Sequence, residues 1–306
     1  MNDRPETSPT APGTPVPGRA PTETARAAAA PALLRACRPR QWPKNLLVLA
    51  APAAAGALDA PSAWLVCGAV VALFCLAASG TYLLNDVRDA DSDRAHASKR
   101  HRPVASGAVP LRTAFGAGLA LIAAAPALSL LLADPVLTAV VTGYVLLTAA
   151  YTFRLKDAVL VDLVAVAGCH VLRAAAGAVA VGVPMTGWFL LVVAMGALLL
   201  VSGKREAERR GTTPVRRTLG VYSARFLTGL RVSVSAVLVV TYFLWALSQG
   251  PWHSVSVVLL FACTLRYNML VDRGEGEEPE EIALRDRPLQ LCLVVLLALV
   301  GMGIYP

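Results

Sequence analysis

The sequence Asn85-Asp86-Val87-Arg88-Asp89-Ala90-Asp91-Ser92-Asp93-Arg94 concentrates four aspartates between two long apolar segments. At about 100° per residue of an α-helix, Asp86, Asp89 and Asp93 fall within about 60° of one another, whereas Asp91 points elsewhere. Carboxylates crowded on one helical stripe repel one another and therefore favour a bound cation. Mg²⁺ is the natural candidate, since it binds a few protein carboxylates and completes its octahedron with water and substrate phosphates.

Cations follow the aspartates directly in the chain. Lys99, Arg100 and Arg102 carry the charge needed to bind phosphate oxygens that a metal leaves uncovered. The alternative interpretation is a solvated charged loop, which is the usual structure of a charge run. The position at the mouth of an apolar segment favours a site that binds metal and phosphate.

The composition is that of a membrane protein. The chain has 306 residues, of which 56% are hydrophobic and 16% charged, and its mean hydropathy is +0.58. These values indicate a polytopic membrane protein. The six cysteines are scattered without a CxxC pair, so the sequence indicates neither a zinc site nor a disulfide framework. The sequence has no GxSxG, Walker or HExxH motif to support a hydrolase, an ATPase or a zinc protease.

Nine apolar segments follow an N-terminal tail. Residues 1–30 are rich in Pro, Ala, Thr and Gly and are predicted to be disordered. Residues 31–306 are predicted to form one all-α domain, a bundle of about nine transmembrane helices. The first segment is short and is interrupted by Pro43 and Pro52. The segments lie near residues 43–58, 63–84, 112–133, 135–153, 158–182, 187–203, 229–248, 252–270 and 288–305.

The charge of the loops predicts the orientation of the bundle. The N-terminal flank and the connections near 85–111, 154–157, 204–228 and 271–287 hold nearly all the Lys and Arg residues. The positive-inside rule therefore places these loops and the N-terminus in the cytoplasm, and the C-terminus outside the plasma membrane. The net charge of +8 then follows from topology and does not indicate nucleic acid as a partner. The polar residues of the cytoplasmic loops are expected to converge on one cavity that opens to the cytosol and the lipid.

Polar residues from several segments are candidates for this cavity. Asp162 and Arg173 lie within one apolar segment, where ionisable side chains are costly and usually face the bundle interior. Asp162 is expected to support a metal or to pair with a basic side chain, and Arg173 to contact an anionic ligand or to pair internally. Lys44 begins the first segment, where a snorkelling lysine is the alternative. The loops contribute further candidates: Tyr151, Lys156, Lys204, Arg205, Arg266 and Arg285.

These residues resemble the UbiA superfamily of intramembrane prenyltransferases. Asn85-Asp86-x-x-Asp89-x-x-x-Asp93 is similar to the first aspartate motif of that superfamily. Over residues 35–306, further motifs resemble its polyprenyl-phosphate phosphoribosyltransferase branch, the decaprenyl-phosphate phosphoribosyltransferases. These motifs are Arg38-Pro39-Arg40-Gln41-Trp42-Pro43-Lys44-Asn45, Lys99-Arg100-x-Arg102-Pro103, Tyr151-Thr152-x-x-Leu155-Lys156, Leu172-Arg173-Ala174, Gly203-Lys204-Arg205 and Leu284-Arg285-Asp286-Arg287.

The resemblance implies a Mg²⁺-dependent glycosyl transfer in the membrane. The 5-phosphoribosyl group of phosphoribosyl pyrophosphate would pass to a polyprenyl (decaprenyl) phosphate with release of diphosphate, and the lipid product would supply arabinose for cell-wall arabinan. Asp86, Asp89 and Asp93 would be the catalytic metal ligands, together with Asn85. Contacts to the substrates are implied for Lys44, Asn85, Lys99, Arg102, Tyr151, Lys156, Asp162, Arg173, Lys204, Arg205, Arg266 and Arg285. The sequence does not divide the basic residues between the donor 5-phosphate and the lipid phosphate.

Two other functions stay open at this point. One is a UbiA-type prenyltransferase that moves a polyprenyl group from its diphosphate to an aromatic acceptor. Such enzymes usually carry a second aspartate pair, where this sequence has Asp157 and Asp162 amid Arg154 and Lys156. The other is an anion carrier, although no chain of ionisable residues crosses the apolar segments as a conduction path often requires. A homo-oligomer is compatible with the sequence.

Overall fold

The computed structural model describes residues 23–96, 98–132, 134–210, 217–275 and 279–305. Within these ranges the chain is helical and contains no β-strand, as the all-α prediction requires. The α-helices are α1 Glu23–Ala36, α2 Ala50–Ala54, α3 Pro61–Arg88, α4 Ala90–Ala95, α5 Leu111–Ser129, α6 Pro135–Phe153, α7 Val161–Val181, α8 Gly187–Arg210, α9 Arg217–Val221, α10 Ala224–Leu247, α11 Pro251–Asp272, α12 Pro279–Arg285 and α13 Arg287–Ile304. Short 3₁₀ helices cover Pro39–Leu49, Ala57–Asp59, Lys99–His101, Leu130–Leu132 and Leu155–Asp157.

Eight of the helices in the described ranges are long and apolar enough to cross a membrane: α3, α5, α6, α7, α8, α10, α11 and α13. They correspond to eight of the nine apolar segments seen in the sequence. A helix satisfies its backbone hydrogen bonds internally, which is what the hydrocarbon core of a bilayer demands. The chain is therefore a multi-pass membrane protein.

The first apolar segment has a different structure. It forms the 3₁₀ helix Pro39–Leu49 and the short helix α2, because Pro43 and Pro52 lack the amide hydrogens that a regular α-helix needs. Its contacts nevertheless follow α3 in antiparallel order: Arg38 with Asp86, Trp42 with Ser79, Asn45 with Cys75, and Leu58 with Trp64. Residues 38–58, called the irregular crossing below, therefore run antiparallel to α3 along most of its length.

The N-terminal helix α1 begins at Glu23, inside the range 1–30 that the sequence predicts to be disordered. Residues 23–30 are thus helical, and residues 1–22, the rest of the predicted disordered tail, lie outside the described residues. Ala32 and Ala36 of α1 are buried with Leu83 and Val104 in one apolar cluster. This packing fixes the start of the irregular crossing beside the end of α3.

Close helix contacts depend on small residues, as is usual in membrane bundles. A Cβ on Gly80 of α3 would lie 2.7 Å from the carbonyl oxygen of Gly118 on α5. A Cβ on Gly177 of α7 would lie 1.7 Å from the carbonyl oxygen of Val48. The irregular crossing is therefore in direct backbone contact with α7.

The second group of crossings, α8, α10, α11 and α13, joins the first through α7 and α8. An ion network centred on the buried residues Glu206 and Arg231 connects the ends of three of these helices. Glu206 of α8 accepts from Arg231 Nε of α10 at 2.8 Å and from Arg210 Nη2 at 2.7 Å, and Arg231 also contacts Asp272 of α11. Because buried charges are stable only when paired, this network fixes how α8, α10 and α11 pack at that end.

Candidate active site

Asp86 lies on the last turn of α3 and is almost fully buried. Its Oδ1 is contacted by the Arg38 guanidinium and lies 3.5 Å from Arg102 Nη1. Arg38 occupies the turn between α1 and the irregular crossing at φ 54°, a left-handed conformation that is uncommon for a residue other than glycine. The second carboxylate oxygen, Asp86 Oδ2, is buried without a hydrogen-bond partner.

Asp89 and Asp93 complete the cluster around the break between α3 and α4. Arg102 Nη1 lies 2.7 Å from Asp93 Oδ2, so Arg102 joins two of the three carboxylates. Lys156 Nζ, from the next loop along the bundle, lies 2.9 Å from Asp89 Oδ1. Asp91 is 97% exposed and pairs with Arg94 on the surface, away from the cluster, as the helical spacing predicts.

The three carboxylates do not form a ready metal cluster. Within the described ranges, no three His, Cys, Asp or Glu side chains are grouped closely enough to hold a metal ion. The cations Arg38, Arg102 and Lys156 pair with the three carboxylates instead. The donor set still fits Mg²⁺, which needs only one or two protein carboxylates besides phosphates and water. The partnerless Asp86 Oδ2 is a suitable ligand, and the partly buried Asn85 precedes it on α3.

Asp162 belongs to a second buried cluster, centred on Arg205. Arg205 donates from Nε to Asp162 Oδ2 at 3.1 Å, from Nη2 to the Tyr151 hydroxyl at 3.0 Å and from Nη1 to Glu208 at 2.9 Å. The other oxygen of Asp162 accepts a 2.6 Å hydrogen bond from Tyr222. Of the two roles that the sequence leaves open for Asp162, the structure therefore has the pairing with a basic side chain.

Tyr222 connects this cluster to the start of α7. Its hydroxyl accepts a 2.6 Å hydrogen bond from the amide of Leu160, which has a positive φ of 67°, while donating to Asp162. Burial, reinforced by the bond to Asp162, raises the pKa of Tyr222 to about 12, so the hydroxyl remains a donor. A strained backbone conformation persists only where its surroundings hold it, and the hydrogen bond to Tyr222 holds Leu160.

Arg173 does not meet the carboxylates. It is buried in the middle of α7, where it donates to Asn45 Oδ1 at 2.8 Å, to the carbonyl of Cys169 at 3.0 Å and to the Tyr144 hydroxyl at 2.7 Å. The guanidinium also lies over the Tyr144 ring, 4.8 Å from its centroid. Internal pairing, one of the two roles expected from the sequence, is observed, and the implied contact with a substrate stays a prediction.

The remaining predicted residues are distributed around the same end of the bundle. Arg266 of α11 forms a two-pronged pair with Asp286, at 3.1 and 2.6 Å. Arg285 beside it is exposed, while Lys204 of α8 and Lys99 are partly buried. The hydrogen bonds from Arg266 hold the pKa of Asp286 below its usual range. Asp286 also caps α13 by accepting from the amide of Leu289.

An apolar groove lies beside the irregular crossing. It is a cavity of about 850 Å³ between the irregular crossing and helices α8, α11 and α13. The carboxylates do not line this groove, and the single cavity expected to unite the polar residues stays a prediction. Among the residues that line the groove, Arg40 is the arginine and Lys44 is the lysine. The rest of the wall is mainly Leu, Ala and Val, including Leu46, Leu49, Leu199, Leu260, Leu293 and Leu297.

Sequence reasoning missed two residues of the site. Arg38 contacts Asp86, and its motif Arg38-Pro39-Arg40 was visible as a dense basic flank before an apolar segment. Tyr222 gave no comparable signal, because a lone tyrosine in a loop has no periodicity or spacing that ties it to Asp162, 60 residues earlier.

Comparison with known proteins gives consistent similarities. Residues 46–285 match the model of the UbiA prenyltransferase family. The chain is 40% identical over 287 residues to a decaprenyl-phosphate phosphoribosyltransferase of Corynebacterium glutamicum, covering 89% of this chain and 86% of that protein. It is 39% identical over 295 residues to the Mycolicibacterium smegmatis protein of the same name, covering 89% and 92%. A UbiA homologue from Archaeoglobus fulgidus, solved with GPP and Mg²⁺, has a TM-score of 0.69 at 18% identity, covering 90% of this chain and all of that one.

Proposed function

Because the chain belongs to the UbiA prenyltransferase family, we propose that it transfers the 5-phosphoribosyl group of phosphoribosyl pyrophosphate to a polyprenyl phosphate, with decaprenyl phosphate as the acceptor. The observation that carries the proposal is the identity of 39–40%, over 89% of the chain, to proteins named for this reaction. The acceptor phosphate oxygen would form the new bond to C1 of the ribose. The bond from C1 to the diphosphate would break, and its electron pair would leave with the diphosphate.

The residues around Asp86 suit this chemistry. Bound at Asp86, Asp89 and Asp93, with Asn85 adjacent, Mg²⁺ would supply positive charge to the diphosphate leaving group. With Mg²⁺ on the carboxylates, Arg102 and Lys156 would be available to contact the donor phosphates, and Lys99 is a further candidate. The acceptor is already an anion and needs no strong general base. Catalysis would rest on positioning and on electrostatic stabilisation of the leaving group.

The second cluster favours phosphoribosyl transfer over transfer of a prenyl group to an aromatic acceptor. A second metal site would require free carboxylates near Asp157 and Asp162. Asp162 is instead buried between Arg205 and Tyr222, and Asp157 lies 4.0 Å from Arg88. The basic surroundings suit a reaction with two phosphate-bearing substrates, where Tyr151, Lys204 and Arg205 remain candidates for contacts to the donor.

The location and the partners are part of the same proposal. We place the protein in the plasma membrane with its N-terminus and active site in the cytoplasm and its C-terminus outside. The basic loops support a cytoplasmic active site. The Tyr305 hydroxyl contacts Ala53 and Leu58 at the end of the bundle opposite Asp86, which supports a C-terminus on the other side of the membrane. The lipid product would feed arabinan synthesis in the cell wall, and the oligomeric state is left open.

The test is transfer of radiolabel from phosphoribosyl pyrophosphate to polyprenyl phosphate by the purified protein, with and without Mg²⁺. Asp86→Asn should abolish transfer, whereas Asp91→Asn, a matched change of an exposed aspartate in the same stretch, should leave it intact. Turnover of a polyprenyl diphosphate with an aromatic acid, without labelled phosphoribosyl lipid, would contradict the proposal.

A further inference from the structure

Two neighbouring ion pairs join the end of α3 to the turn that follows α6. In the first, Lys156 Nζ lies 2.9 Å from Asp89 Oδ1. The second joins the adjacent residues in the opposite sense, with Arg88 Nη2 4.0 Å from Asp157 Oδ2. Each segment thus contributes one cation and one anion, and the two pairs together are called the double ion pair below.

Arg88 contacts the turn at both of its ends. Its guanidinium lies over the ring of Phe153, the last residue of α6, at 5.7 Å from the centroid, which is within the range of a cation–π contact. Its other partner, Asp157, is the last residue of the 3₁₀ helix Leu155–Asp157. The turn that carries Lys156 is therefore held between two contacts of one arginine.

The two ion pairs differ in their relation to the carboxylate cluster. Asp89 belongs to that cluster, whereas Arg88 and Asp157 pair with each other and have 32% and 40% of their side chains exposed. A donor phosphate bound to Lys156 would take the place of Asp89 and so remove one of the two contacts. The contacts of Arg88 with Asp157 and Phe153 involve neither residue and would still hold the turn against α3.

We propose that Arg88 and Asp157 are positioning residues that keep Lys156 within reach of the donor phosphates. The inference rests on the proposed function, because it takes Lys156 as a contact to the donor. A lysine has a long, flexible side chain, so a fixed backbone beneath it lowers the entropy that is lost when the ammonium binds a phosphate. Arg88 and Asp157 act through Lys156 and do not themselves touch the substrate.

Positioning has consequences that differ from those of charge alone. Phosphoribosyl pyrophosphate is an anion, so electrostatic attraction alone predicts that loss of Arg88 weakens donor binding and that loss of Asp157 strengthens it. Positioning predicts that both losses weaken donor binding, because either substitution breaks the same ion pair. Opposite signs in the two variants would overturn the inference.

Steady-state kinetics with each substrate varied in turn provides the first test. Arg88→Gln and Asp157→Asn should each raise KM for phosphoribosyl pyrophosphate about threefold, the scale of an exposed ion pair, and leave KM for the lipid unchanged. Arg88→Gln should have the larger effect, since it also loses the contact with Phe153. Asp91→Asn and Arg112→Gln remove an exposed aspartate and an exposed arginine outside the double ion pair, and as matched controls they should change neither constant.

A double variant tests whether the two residues act through Lys156. In the Lys156→Gln background, Asp157→Asn should cause no further rise in KM for the donor, because the side chain that it positions is already gone. Residues that act independently would multiply their separate effects. A multiplied effect in Lys156→Gln/Asp157→Asn would overturn the inference.

A binding experiment works without turnover. Inorganic diphosphate with Mg²⁺ should raise the melting temperature of the detergent-solubilised wild type, and the rise should be smaller in Arg88→Gln and Asp157→Asn but unchanged in Asp91→Asn and Arg112→Gln. If this pattern holds and the wild type transfers no phosphoribosyl group, the proposed function fails and the positioning of Lys156 for a diphosphate stands. If the wild type transfers the group and diphosphate stabilises Asp157→Asn as much as the wild type, the inference fails and the proposed function stands.

Discussion

Lys156 and Asp89 are 67 residues apart in the chain, yet the ammonium of Lys156 lies 2.9 and 3.2 Å from the two carboxylate oxygens of Asp89. The contact joins the loop after α6 to the break between α3 and α4. Lys156 can therefore either neutralise the Asp89 carboxylate or bind a phosphate of the donor in its place.

We therefore expect Lys156→Gln to raise KM for phosphoribosyl pyrophosphate about tenfold, because one charge-assisted contact to phosphate is lost. KM for the lipid should change little, and Lys156→Arg should restore most of the affinity. Arg154→Gln removes an exposed cation two residues away and serves as the control. Steady-state kinetics with each substrate varied in turn measures the effect. An unchanged KM for the donor in Lys156→Gln would remove Lys156 from the donor site.

Tyr222→Phe should destabilise the protein by about 1–3 kcal/mol, since it leaves the Leu160 amide and one oxygen of buried Asp162 without a partner. The measurement is the melting temperature of the purified protein in detergent. Tyr305→Phe removes a tyrosine hydroxyl whose two hydrogen bonds are exposed, so it should cost less. Equal falls in melting temperature in the two variants would contradict the larger contribution expected of the buried hydrogen bonds of Tyr222.

Gly177→Ala should prevent close packing of α7 against the irregular crossing. The new Cβ would lie 1.7 Å from the Val48 carbonyl oxygen, a clash with the backbone that no side-chain rotation can relieve. We expect a loss of at least about 3 kcal/mol, at the upper end of overpacking effects, or a failure to accumulate folded protein. Gly143→Ala on α6 has open space around its new Cβ and should be neutral. Size-exclusion profiles of the two variants provide the comparison.

Asp286 predicts a dependence of stability on acid pH. Its pKa in the folded protein lies below its usual range because of the hydrogen bonds from Arg266. A lowered folded pKa contributes stability that is fully present above the unfolded pKa of about 3.9 and is lost as pH falls through the folded value. Asp286→Asn should therefore lower the melting temperature at pH 6 and reduce its fall between pH 5 and pH 3, relative to wild type. The prediction would be contradicted if the melting temperature of Asp286→Asn fell between pH 5 and pH 3 as steeply as that of the wild type.

Much of the fold followed from the length of the apolar segments, and the aspartate spacing correctly separated Asp91 from Asp86 and Asp93. These features are local, so a linear pattern contains them. The partners of buried ionisable residues are not local. Asp162 meets Arg205 and Tyr222, and Arg173 meets Asn45, only because distant helices pack together.

The irregular crossing shows a second way in which the structure differs from what the sequence predicts. Its apolar residues predict a membrane pass, and Pro43 and Pro52 indicate an interruption, but the sequence does not specify which helical form replaces the α-helix. The close approach of Gly177 to Val48 is a property of the packed bundle, which the sequence pattern of the crossing does not contain.

The 3₁₀ helix Pro39–Leu49 also fixes the distance between two anchored side chains. Arg38 is tied to Asp86 at one end of it and Asn45 to Arg173 further along. At about 2.0 Å of rise and a third of a turn per residue, inserting or deleting one residue between these two anchors would shift Arg38 by 2.0 Å or so and rotate it away from Asp86. The spacing from Arg38 to Asn45 is therefore not free to vary, and any relative that keeps both anchoring pairs must keep that length of chain between them.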